Sequence, residues 1–143
     1  MAWILHIESA VNCSFIKHYG PFDLRALDES TEARLNHPDF KVGMNFLHDF
    51  LDQHIPPDLA FKTLSEESNR LVKKYGYKVG PCKGAFVVGD GQSYAKIHQF
   101  VLTNRFEKNP IERKAFRDIE KAKEWLDIPE SYEINYPGSE ETT

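Results

Sequence analysis

Lys83-Gly84-Ala85-Phe86-Val87-Val88, followed at once by Gly89-Asp90-Gly91, decides the fold class. Ala85 to Val88 is a continuous apolar block too short for a helix. A block of this kind, bounded by glycines, reads as an interior strand covered on both faces. Behind it Tyr94, Ile97, His98, Val101 and Leu102 recur at helical spacing. A buried strand that feeds a helix through a tight loop is the unit from which parallel sheets are built.

Working outward, the same alternation returns on both sides. Ahead of the block, Leu59, Phe61, Leu64, Ser68 and Leu71 form one helical stripe reaching about Tyr75, with Gly76 as the expected stop and Asp58 or Pro57 at its start. Gly43 to Asp52 is apolar enough for another buried strand. From Phe22 to Asn36 the spacing of Leu24, Leu27, Thr31 and Leu35 predicts a helix, with Pro21 suited to its first turn. His37-Pro38 ends it, since a residue before proline is pushed out of the helical region. Residues 2–8 and Val11 to Tyr19 read as two strands of a hairpin closed by Gly20-Pro21. Downstream, Ile111 to Phe116 predicts an edge strand whose Glu112, Arg113 and Lys114 face water. Asp118 caps a last helix carrying Ile119, Ala122, Trp125 and Leu126 inward, ended by Pro129. The order β-β-α-β-α-β-α-β-α predicts an α/β fold: a mixed, mostly parallel sheet of four to five strands, an N-terminal hairpin and about four covering helices.

The 143 residues suffice for one core without staples. The formal charge of −4 is local. Glu130, Glu133, Glu140 and Glu141 lie in residues 129–143, which hold no Lys or Arg, so the other 18 acids meet 18 bases in residues 1–128. That balance predicts a domain over 1–128 and an acidic tail over 129–143, free either to stay disordered or to pack through Tyr132, Ile134 and Tyr136. It also lacks the basic footprint of a nucleic-acid binder. Cys13 and Cys82 have no metal-ligand spacing and read as reduced thiols. No signal peptide is visible and no apolar run approaches the ~20 residues of a membrane span, so the expectation is a soluble, cytoplasmic protein. An edge strand leaves a symmetric homodimer open.

Four candidate chemistries follow from the residues. Gly89-Asp90-Gly91-Gln92-Ser93 leaves a buried strand and enters a helix, a place where free backbone amides favour anions or polar ligands. The alternative is a plain turn in which Asp90 or Ser93 caps the helix. His48, Asp49, Asp52 and His54 are dense in potential metal ligands; His48 and Asp49 point to opposite faces of a strand, whereas Asp52 and His54 could share the face of His48. Loop acids beside the Pro56-Pro57 turn account for the same composition. For nucleophilic catalysis, Cys13 and Cys82 have no local histidine base, and Ser93 lacks the G-x-S-x-G elbow. Met44, Phe46, Phe61, Phe86, Phe100, Phe106, Phe116 and Trp125 predict core packing or, alternatively, the lining of an apolar cavity.

Three stretches carry a family likeness: His37-Pro38-Asp39-Phe40-Lys41-Val42-Gly43-Met44-Asn45-Phe46-Leu47-His48-Asp49-Phe50, the strand Ala85-Phe86-Val87-Val88, and Ala115-Phe116-Arg117-Asp118 through Glu124-Trp125-Leu126. Together they resemble the SpoIIAA-like superfamily, small bacterial proteins related to STAS domains and more remotely to the Sec14-type lipid-binding fold. The likeness covers most of residues 1–128. It implies a non-enzymatic interaction module, in some relatives switched by phosphorylation of a serine in a strand-to-helix loop. The matching loop, Asp49 to Asp58, holds no Ser, Thr or Tyr, and Ser65 and Ser68 fall inside the next helix. The expectation is therefore docking of an unknown protein partner, without cofactor, metal or nucleic acid, through a surface of Asp49, Asp52, His54, Gly89, Asp90, Gly91, Gln92 and Ser93. The alternative is a carrier holding a small apolar or lipid-like ligand in an internal cavity.

Overall fold

The computed structural model describes residues 3–102 and 111–137. Its elements follow the expected order: β1 (Trp3–Glu8), β2 (Cys13–His18), α1 (Arg25–Leu35), β3 (Asn45–Phe50), α2 (Phe61–Val79), β4 (Cys82–Val88), α3 (Gly91–Leu102), β5 (Ile111–Phe116) and α4 (Ile119–Trp125). One five-stranded sheet runs β1-β2-β3-β4-β5. The β1–β2 pair is an antiparallel hairpin and the other three pairings are parallel. The turn of the hairpin is a short 3₁₀ segment, Ser9–Val11, closed by Asn12 in the left-handed region at φ 52°.

The block at 85–88 is the interior strand its composition required, flanked by β3 and β5. Its side chains alternate between two cores. Phe86 and Val88 join Phe46 and Phe50 under Leu27 of α1, Leu64 and Tyr75 of α2, and Ile97 and Phe100 of α3. Ala85 and Val87 join Cys13, Phe15, Leu47 and Phe116 under Ala122 of α4, Leu126 and Ile128. The three crossover helices thus share one face, and α4 with the chain beyond it covers the other. Tyr132, Ile134 and Tyr136 of the acidic tail pack on this second face without forming a strand. Lys123, itself buried, fastens them by donating to the carbonyls of Tyr132 at 2.7 Å and Glu130 at 3.3 Å.

Several local expectations are corrected. Helix α2 begins at Phe61 without a side-chain cap, so neither Asp58 nor Pro57 starts it, and it runs through Gly76 to Val79. Gly76 is a buried packing residue on the helix, and Gly80-Pro81 makes the stop. Helix α1 starts at Arg25, leaving Pro21 in the preceding loop. On β5, Glu112 and Lys114 face water, but Arg113 turns inward, donating to the Ser68 hydroxyl at 2.9 Å and lying over the Phe100 ring. Of the aromatic set, Phe61 is solvent-facing, Phe106 lies outside the described residues, and Met44, Phe46, Phe86, Phe100 and Phe116 are buried. Both cysteines are free thiols. No helix among the described residues is long and apolar enough to cross a membrane.

Candidate functional site

Parallel strands that end side by side deliver their loops to one edge. Here that edge carries the loops after β2, β3 and β4, and three contacts stitch them together. The Gln53 side-chain amide donates toward the carbonyls of Tyr19, Gly20 and Pro21 at 3.2, 3.2 and 3.4 Å. The Ile55 amide donates to the Ser93 hydroxyl at 2.9 Å, and that hydroxyl donates to Asp90 at 3.1 Å. Asp90 caps α3 by accepting from the Ser93 amide at 2.7 Å and holds the His54 ring at 3.2 Å. These bonds hold the Asp90 carboxyl below its ordinary range, the Ser93 amide contributing most. Gly89 is required at the crossing point, because a Cβ there would sit 2.5 Å from the Leu51 carbonyl oxygen.

The structure therefore brings Gly89, Asp90, Gly91, Gln92, Ser93 and His54 into one patch, with Asp52 on its flank bound to Lys17 at 3.1 Å. Asp49 is not part of it. It points to the second face, buried near Tyr136, where burial raises its carboxyl and its own oxygen accepts from the Leu51 amide. Serine, histidine and aspartate do converge, but in an order unsuited to nucleophilic attack. Ser93 is fully buried and both accepts and donates structurally, while His54 bonds Asp90 rather than the hydroxyl. The two thiols are also held protonated, burial raising Cys82 to about 11 and Cys13 further.

His48 leaves the candidate set altogether. It lies in the middle of β3 on the helix-covered face, bonded ring to ring with His18 at 2.8 Å. The pair stacks between Phe50, 4.2 Å from His18, and Phe86, 5.1 Å from His48. Burial drives His18 down to about 3 and His48 well below the ordinary histidine value, so both rings are neutral. With His48 so engaged, the proposed sharing of a face with Asp52 and His54 does not occur, and among the described residues no three His, Cys, Asp or Glu come together. The motif was not readable from His48 alone, because its partner is set by parallel register thirty residues away.

A second feature carries no signal in the sequence. Arg34 of α1 is only 2% exposed, and its Nε and Nη1 reach no hydrogen-bond acceptor. Its guanidinium lies 4.2 Å from the centre of the Phe46 ring. Taking a cation out of water costs several kcal/mol, and a desolvated cation–π contact returns about 2 kcal/mol. Desolvation brings it down to about 10, and the neighbouring Cys13 and Cys82, themselves held protonated, bring it no counter-charge at neutral pH. Arg34 and His48, with Arg113, line an otherwise largely apolar cavity of about 50 Å³ beneath α1 and α2. No family model, curated protein or solved structure matches this chain.

Proposed function

We propose that the chain is a non-catalytic interaction module of the SpoIIAA-like, STAS-related kind that its sequence resembles, docking a protein partner through its strand-to-helix loops. The observation that carries this reading is the Ile55–Ser93–Asp90–His54 network, which joins two loops into one rigid surface at the edge of the sheet. A surface whose backbone is fixed while Asp52, His54, Gly91 and Gln92 stay open to solvent is pre-organised for recognition. Leu51 and Tyr19 add exposed apolar area beside those polar groups, the mixture common in protein interfaces. The test is site-specific photo-crosslinking in the native host, with the probe at Gln92 or, as a control on the α4 side, at Lys121. A protein adduct at Gln92 alone, lost on Gly89→Ala, supports docking at this edge. Equal labelling at both positions, or none at Gln92, refutes it.

A second reading, carriage of a small ligand, is favoured by the cavity at Arg34. Its volume of about 50 Å³ suits a molecule of a few non-hydrogen atoms. Native mass spectrometry of freshly purified chain tests for such a passenger.

A further inference from the structure

We propose that the cavity beneath α1 and α2 binds a short-chain carboxylic acid as its anion, the carboxylate meeting the Arg34 guanidinium and the carbon chain meeting the apolar wall. The inference rests on the carriage reading, not on docking at the loop edge.

Four observations lead to this ligand class. The first is the cation: Arg34 is buried and two of its nitrogens have nothing to donate to. Guanidinium matches carboxylate and phosphate oxygens better than any other acceptor. Second, among the described residues no Asp or Glu lines the cavity, which leaves the negative charge to be brought by an occupant. Third, the Phe46 ring lies against the guanidinium, 4.2 Å from its centre, and holds it in place for an incoming anion. Fourth, Leu27, Leu71, Val72 and Val79 on the helix side offer only hydrocarbon. A doubly charged, fully hydrated phosphate is poorly suited to such a wall, while a short alkyl chain gains from it. Size agrees: at ~10–15 Å³ for each water-sized position, about 50 Å³ takes a handful of non-hydrogen atoms, the size of propionate or butyrate. Arg113, on the same lining, adds a second positive charge that would raise affinity for any anion there.

The test titrates the full chain with sodium butyrate, with butyramide and inorganic phosphate as matched controls, and follows thermal stability and the Arg34 Nε–H resonance. Butyrate is expected to raise the melting temperature saturably in the millimolar range and to move the Arg34 signal, while butyramide does neither. Arg34→Met should weaken butyrate binding by at least about tenfold, the loss expected for one charge-assisted contact. If that variant fails to fold, the wild-type Arg34 resonance alone decides. Equal responses to butyrate and butyramide, a stationary Arg34 signal, stronger binding of phosphate, or a cavity holding only water would each overturn the proposal. A neutral passenger found by native mass spectrometry, with no butyrate binding, would remove the acid and leave carriage standing. No passenger and no binding of any probe would remove both.

Discussion

The buried His18–His48 pair gives the chain a built-in sensitivity to acid, and its size can be worked out. Both rings are neutral in the folded protein because burial disfavours the charged form, His18 titrating only near 3 and His48 well below 6.5. In the unfolded chain each takes up a proton as the pH falls below 6.5. The unfolded state therefore binds more protons, so stability is complete above pH 6.5 and is lost as the pH falls from there toward the folded values. From pH 7 to pH 5 the His18 ring costs about 2 kcal/mol, a sizeable share of the ~5–15 kcal/mol of an ordinary domain, and His48 adds to it in the same direction. Asp49 acts in the opposite sense, since burial raises its carboxyl and the folded state protonates first. Its effect belongs to the acid end of the range and is shared by any variant that retains it. Urea unfolding at stepwise pH, comparing wild type with His18→Gln/His48→Asn, isolates the pair. The wild-type free energy should fall by at least about 2 kcal/mol more than the variant's between pH 7 and pH 5. Parallel curves, or NMR titration of either ring near 6.5 in the folded chain, would refute the reasoning.

Three further outcomes are expected. Gly89→Ala drives a methyl group into the Leu51 carbonyl and should cost about 1–3 kcal/mol in denaturant unfolding, since backbone on both sides must shift. Tyr132 stacks on Phe15 and bonds His6 at 3.1 Å, while Lys123 holds the carbonyl of the same tyrosine. Each alanine substitution should cost about 1–3 kcal/mol, and the double variant should fall short of the sum by ~0.5 kcal/mol or more, as a double-mutant cycle would read. Cys13 and Cys82, both raised by burial, should resist iodoacetamide at neutral pH in the folded chain and react promptly once it is unfolded; fast labelling of Cys13 would show that face to be open.

Where one local signal dominates, sequence and structure agree closely. Ala85 to Val88 had no other use than an interior strand, β5 falls at Ile111–Phe116 as expected, and Asp118 caps α4 by accepting from the Glu120 amide at 2.8 Å. The disagreements arise where a tertiary contact outweighs a local preference. Gly76 looks like a helix stop until α2 packs its face inward, and Arg113 looks like a solvent charge until Ser68 and Phe100 receive it. The patch at the loop edge was half legible: Gly89 to Ser93 and His54 meet, and Asp52 flanks them. Asp49 drops out of the patch because it faces the second core, and His48 drops out of the candidate metal set because, one residue earlier on β3, it faces the first. Gln53 and His18 gave no sequence signal, since their partners are set only when strands β2 and β3 find register. Nor does an arginine inside a charged helical stretch announce that it will be buried without a counter-charge.

The cover of the second face by Ile128, Tyr132, Ile134 and Tyr136 carries a consequence for biosynthesis. A chain growing from its N-terminus can lay down all five strands and the three crossover helices while Phe15, Leu47 and Val87 still lack their lid. Until the stretch through Tyr136 leaves the ribosome, the nascent sheet presents a sticky hydrocarbon wall to its surroundings. A protease that nicked the finished protein near Pro129 would recreate that hazard, leaving a chain that seeks other molecules to cover its bared face.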